Sequence, residues 1–295
     1  ALHKYGTPSY RLEAHLDNTA KMLDLKASFM ATPTSISFAL HGDSPEEDYN
    51  HVARVMPGDL DLGSLGRADE VVELLQNKTL TLVEANARLD EIANSPLTYH
   101  RLITLLAFGA CGAGFSILLQ GSWQDASSSA LISLIIFCLT LLAERSPRVA
   151  YMLEPLVAIT AAFLASAISH MYPSINVNLV IISSIIIFIP GLALLVGLSE
   201  LSAKHMVSGS ARVMDAMMQM FKLYFGSLLG ITFATMAFGE VVSTNAEAVE
   251  TWIRWTALGI LSTTIAIVFK ARRRHIVWII GSGYLAFLAS LWGAS

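Results

Sequence analysis

Beyond about residue 100 the chain alternates long apolar runs with short polar connections, and before it the apolar positions recur at helix or strand spacing. A membrane crossing takes about 20 mainly apolar residues. Seven segments meet or approach that length: Leu102–Gln120, Ala130–Ala143, Leu153–Met171, Val177–Leu198, Ala216–Phe238, Trp252–Phe269 and Ile276–Trp292. The second is short and is expected to extend back to about Ser127 through uncharged serines. Ala110 with Gly114, and Gly226 with Gly230, have the small-residue spacing that permits close helix approach in lipid.

The first hundred residues follow a different pattern. Ser9–Leu25 predicts an amphipathic helix with Leu12, Leu16, Ala20 and Leu23 on one face. Pro8 stands where a first-turn proline is tolerated, with Thr7 as a candidate cap. Ala27–Met30, Ser35–Leu40 and His51–Val55 read as strands, and Gly66–Gln76 and Thr81–Ile92 as helices. Thr81 and Glu84 have capping-box spacing, and Asn94-Ser95-Pro96 stops the last helix before the membrane. The expected fold is a polytopic α-helical membrane protein with about seven transmembrane helices and a small N-terminal cytoplasmic α+β domain. The expected division is 1–100 for that domain, 101–240 for a five-helix half, and 241–295 for two helices of a second half.

Composition supports two different materials. Hydrophobic residues make up 54% of the chain and charged ones only 14%, against about 25% charged in an ordinary soluble domain. Residues 1–100 hold 8 Lys/Arg and 15 Asp/Glu, while the rest holds 11 and 8. An acidic first part speaks against nucleic-acid binding, which needs a basic surface. Lys and Arg also set the orientation. Connections 121–129, 172–176 and 239–251 carry none, whereas Arg145, Arg148, Lys204, Arg212 and the Lys270-Ala-Arg-Arg-Arg-His275 run mark the alternate ones. This places the first domain in the cytoplasm and residue 295 outside. Arg254 breaks the pattern, and either snorkels to the interface or pairs with an acid. Cys111 and Cys138 lie in apolar runs and are expected to be buried free thiols.

Catalytic and metal signals are sparse. His3, His15, His41 and His51 have no helical metal-site spacing. Neither a nucleophile elbow nor a phosphate-cradling glycine loop occurs, and no cofactor is expected. The polar features stand elsewhere. Ile189-Pro190-Gly191 interrupts an apolar span, and discontinuous helices of this kind build transporter sites, although simple proline kinks are also common. A polar connection with Glu200, Ser208, Gly209, Ser210, Arg212 and Asp215 follows. Glu200 and Asp215 are either solvated or are carboxylates able to take up and release a proton; Glu144 and Glu154 favour solvation. Tyr5-Gly6-Thr7-Pro8-Ser9-Tyr10-Arg11-Leu12-Glu13 reads either as a solvated helix start or as a charge-paired hinge.

Gly6-Thr-Pro-Ser-Tyr10-Arg11-Leu-Glu13 resembles the N-terminal signature of the threonine/serine exporter (ThrE-like) family. Ile189-Pro190-Gly191, followed by Glu200-Leu and then Gly209-Ser-Ala-Arg212, resembles its second signature, in the expected order over nearly the whole chain. The resemblance implies a secondary active exporter of small polar metabolites, chiefly threonine and serine, driven by the proton-motive force in the plasma (inner) membrane. Related two-component members are linked to dicarboxylates. The implied pathway residues are Pro190, Gly191, Glu200, Gly209, Arg212 and Asp215, with Gly6, Tyr10, Arg11 and Glu13 as the N-terminal motif. The implied partners are small amino acids or related carboxylates, protons and the lipid bilayer. Family members have about ten helices, so a further segment or a second chain is expected to complete the second half. Two other readings give residues 1–100 the leading role, as a membrane-anchored hydrolase-like enzyme or as a docking or sensory domain.

Overall fold

The computed structural model describes residues 2–42, 48–55, 58, 61–95, 98–240 and 247–293. The chain forms two compact units, and neither is continuous in sequence. The first is Ala1–Thr98 with Gly191–Ala216, and the second is Tyr99–Pro190 with Met217–Ser295. A linear division at residue 100 leaves Gly191–Ala216 with the membrane helices, whereas the contacts join it to the N-terminal elements.

In the first unit a short 3-10 turn, Leu2–Tyr5, precedes α1 (Ser9–Met22). Strands β1 (Lys26–Thr32), β2 (Ser35–His41) and β3 (Tyr49–Arg54) follow, then α2 (Leu62–Gln76) and α3 (Leu82–Ala93). The strands form an antiparallel sheet in the order β1-β2-β3, with Phe29 opposite Phe38 and Phe38 opposite His51. Alternation sends Ala31 and Ile36 to the face that packs on Leu12, Leu16 and Ala68. Asp61 caps α2 by accepting from the Ser64 amide at 2.8 Å. Thr81 and Glu84 form the expected reciprocal capping box on α3. Pro96, expected to stop that helix, lies outside the described residues.

Helix α1 ends three residues earlier than its apolar spacing suggests. Asp24 adopts a left-handed backbone (φ 57°), and the Leu25 amide turns back to the Ala20 carbonyl at 2.9 Å. This is a Schellman stop, made here without glycine. The same device closes α2 at Lys78 and recurs at Gln120, Lys204 and Lys270.

The second unit contains α4 (Arg101–Leu118), α5 (Trp123–Arg145), α6 (Pro147–Tyr151), α7 (Leu153–Met171) and α8 (Val177–Ile185). It also holds α11 (Thr251–Val268), α12 (Ile276–Gly293) and the later part of α10 (Met206–Phe238). The remaining helix, α9 (Gly191–Ser202), belongs to the first unit. Among the described residues six helices are long and apolar enough to cross a membrane, or seven if α8 and α9 form one interrupted span. The expected span Val177–Leu198 is therefore not one helix. A 3-10 turn, Ile186–Phe188, follows α8, and Ile189 is extended (φ −71°, ψ 119°). Pro190 imposes this, because its ring disfavours helical geometry in the preceding residue and it has no N–H to continue the ladder.

The bundle packs as its small residues require. Ala158, Ala161, Ala162 and Ala165 of α7 form the centre of the core with Ile132, Ile136, Val157 and Val180. A Cβ on Gly226 would sit 2.8 Å from the Pro155 carbonyl oxygen, and one on Gly230 2.5 Å from that of Ile159. The backbones of α10 and α7 thus meet at the expected glycines. Helix α5 begins earlier than expected because Ser122 and Asp125 cap it reciprocally. Asp125 is buried and also accepts from the Asn176 amide at 2.7 Å, tying the starts of α5 and α8 together. Glu144 pairs with Arg101 at 3.2 Å, and Glu154 with Lys222 at 3.7 Å. Arg254 lies 6.0 Å from the Phe287 ring centroid. Cys111 is buried, but Cys138, expected to be buried, is exposed on α5.

Candidate functional site

The stretch between α9 and the apolar part of α10, expected to be a polar connection, is almost wholly helical. Helix α10 starts at Met206, leaving only Ala203–His205 as a turn. Lys204 takes the left-handed conformation (φ 64°). The His205 amide bonds the Glu200 carbonyl at 2.9 Å, and the Lys204 amide bonds that of Leu201 at 3.0 Å. After this turn the two helices cross at glycine. A Cβ on Gly209 would meet the Gly197 oxygen and the Leu201 amide nitrogen, each at 2.8 Å. Polar residues on α10 masked the hairpin in the sequence. The available signal was Gly197, which stands as far before Ala203 as Gly209 stands after it.

The hairpin presents a buried charge to the N-terminal motif. Glu200 has 0% exposure. Its Oε1 accepts the Ser9 amide at 2.7 Å, and its Oε2 accepts Nε of Arg212 at 3.0 Å. The Arg212 Nη2 donates to the Thr7 carbonyl at 3.4 Å. Ser9 and Ser208 share a hydrogen bond between their hydroxyls. Beside this pair, Glu13 Oε1 accepts the Ala31 amide at 2.7 Å, and its Oε2 lies 3.7 Å from His205 Nδ1. The Tyr10 ring is tilted against His205 with centroids 6.2 Å apart.

Elementary chemistry explains the arrangement. The first amides of a helix lack intrahelical acceptors, and a carboxylate there also meets the positive end of the dipole. Pro8 occupies the cap position without a side-chain cap bond, and the Thr7 hydroxyl, the candidate cap, is buried without a hydrogen-bond partner. Glu200 thus caps α1 from 191 residues away. A buried carboxylate needs a counter-charge, and Arg212 supplies it.

The residues anticipated as a site therefore divide. Glu200, Gly209 and Arg212 join Tyr10 and Glu13 in one cluster, which also draws in Thr7, Ser9, His205 and Ser208. Gly6 supplies the bend before it with φ +98°. Arg11 points elsewhere and pairs with Asp69 at 2.6 Å. Gly191 opens α9, and nothing lies within 4 Å of a Cβ built on it. Asp215 stands one turn beyond Arg212 on an exposed part of α10, and Pro190 belongs to the other unit. Of the charged residues of the motif, Arg11 pairs with Asp69, and Glu13 accepts the Ala31 amide beside His205. Among the described residues no three His, Cys, Asp or Glu side chains are placed to share a metal ion.

The second unit has a groove of about 360 Å³ between α8 and α10. Isoleucine and leucine line it, and its polar groups come from Asn178, Tyr224 and Ser227.

Residues 1–234 match the family model described as "Putative threonine/serine exporter". The chain is 25% identical over 291 residues to an uncharacterized protein of Schizosaccharomyces pombe, covering 94% of this chain and 38% of that one. It is 28% identical over 240 residues to pheromone-regulated membrane protein 10 of Yarrowia lipolytica, covering 78% and 19%. The protein of that name from Saccharomyces cerevisiae is 24% identical over 297 residues, covering 97% and 38%. The chain thus spans between 19% and 38% of the length of these curated relatives. No solved structure matches.

Proposed function

The chain belongs to the threonine/serine exporter family, and from that premise we propose that it moves small polar metabolites, threonine and serine first among them, out of the cytoplasm. The observation that carries the reading is the pairing of buried Glu200 with Arg212 in a hairpin that follows an interrupted apolar helix. A buried carboxylate paired with a largely buried guanidinium offers one group for the ammonium and one for the carboxylate of a zwitterion. We read the protein as a carrier and not as an enzyme. The proton-motive force is the proposed driving force, and the plasma (inner) membrane the proposed location. The N-terminal elements then face the cytoplasm, an orientation that the Lys/Arg alternation supports.

The test is efflux from proteoliposomes holding the full chain and loaded with labelled threonine. Imposing a pH gradient should release label faster than in protein-free liposomes, and Glu200→Gln should abolish the gradient-dependent part. Absence of gradient-dependent efflux for threonine, serine and dicarboxylates would refute the reading.

A further inference from the structure

We propose that Glu200, Arg212 and Ser208 form a binding site for the zwitterion of a small hydroxy amino acid, and that the chain's own Thr7-Pro8-Ser9 segment occupies it in this structure. The inference rests on the exporter reading and names the site of that activity.

Three contacts join the segment to Glu200, Arg212 and Ser208, and each has its counterpart in threonine or serine. Glu200 Oε1 accepts an N–H from Ser9, as it would accept one from an α-ammonium group. Arg212 Nη2 donates to the Thr7 carbonyl oxygen, as it would to an α-carboxylate. The Ser208 hydroxyl bonds the Ser9 hydroxyl, as it would bond a substrate hydroxyl. An ammonium and a carboxylate bring a full opposite charge to Glu200 and Arg212 where the amide and the carbonyl bring only a dipole, and that extra attraction is strongest where water is largely excluded. The free amino acid therefore brings a differential interaction able to displace the segment.

The segment itself is imperfectly held. The Thr7 hydroxyl is buried without a hydrogen-bond partner, the Arg212–Thr7 contact is long at 3.4 Å, and Pro8 brings no N–H. An internal occupant lowers apparent affinity by the fraction of time it fills the site. Weakening it should then tighten binding. Ser208 should set specificity, because alanine leaves its hydroxyl unmatched; one such loss amounts to about tenfold in affinity.

Amide hydrogen exchange on the purified full chain in detergent tests the site without needing transport. L-Threonine and L-serine should raise exchange in peptides covering Leu2–Leu12, and L-alanine should need about tenfold higher concentration. In Ser208→Ala the threonine and alanine curves should coincide. In Ser9→Ala, which keeps the amide but removes the competing hydroxyl, the threonine midpoint should fall several-fold. No exchange response to any of the three amino acids overturns the site, as does a response left unaltered by both variants. If proteoliposomes still export threonine in either case, the exporter reading stands and only this site falls. A response with both variant effects but no efflux supports the site and counts against export.

Discussion

Removing either member of the Glu200–Arg212 pair should be far more damaging than removing both. The Glu200 side chain has 0% exposure and that of Arg212 18%. Glu200→Leu strands a mostly buried guanidinium, and breaking a buried pair in this way costs about 3–5 kcal/mol. Partial water access at Arg212 favours the lower end, about 3 kcal/mol. The Ser9 amide, losing its acceptor, adds about 1 kcal/mol. Arg212→Met strands a carboxylate with no access to water, which places it nearer the upper end, about 4–5 kcal/mol. The double variant exchanges the pair for apolar groups, a change often close to neutral, so it should cost only about 1–2 kcal/mol for the orphaned Ser9 amide and Thr7 carbonyl. A coupling of at least about 2 kcal/mol should therefore separate the double variant from the sum of the singles. All five tryptophans lie in the second unit, so their fluorescence does not report on this site. The suitable assay is amide exchange of α1 peptides against temperature in the full chain, with each single variant opening on the order of 10 °C lower. Additive single effects, or a double variant worse than either single, would refute the account of a mutually dependent buried pair.

Gly209→Ala places a methyl group against two backbone atoms at 2.8 Å and should destabilise the hairpin by about 2 kcal/mol; Gly191→Ala meets nothing within 4 Å and should be neutral or slightly stabilising by the same exchange measurement. Lys204→Gly should raise the opening temperature of the hairpin, since glycine adopts the left-handed turn (φ 64°) without the roughly 1 kcal/mol borne by other residues. Hydrogen bonds from the Thr81 amide and then its hydroxyl hold the Glu84 carboxyl below its ordinary value of 4.5. The bonds thus favour the folded, ionised form, and their stabilisation is present at neutral pH and lost as the pH falls below that value. Thermal unfolding of the wild type and Glu84→Gln should accordingly differ at neutral pH and converge in acid.

Local signals were legible and distant ones were not. The apolar run Leu153–Met171 coincides with α7 to the residue, and the Thr81/Glu84 box appears as its spacing foretold, because both depend on contacts within a turn or two. The third strand starts two residues earlier and ends one earlier than its apolar centre suggested, since β3 is largely exposed and has little pattern to mark its ends. Ser199–Asp215 read as a loop because serine, lysine and arginine cover it. Its helical hairpin depends on Gly197 meeting Gly209, a contact that single-residue propensity does not register. Thr7 looked like a cap by position, yet the cap came from Glu200. Both signatures were visible separately; their joining across 191 residues is a property of the tertiary fold.

That long-range cap has a consequence for biosynthesis. Chains elongate at roughly 5–20 residues per second, so Glu200 is made roughly 10–40 seconds after Ser9. During that interval α4, α5, α7 and α8 are synthesised, while the segment around Ser9 lacks its hairpin, its counter-charge and its helix cap. A nascent chain arrested before Glu200 should hold an N-terminal unit accessible to proteases and chaperones. A segment made well before Glu200 thus completes its fold only after Glu200 has emerged.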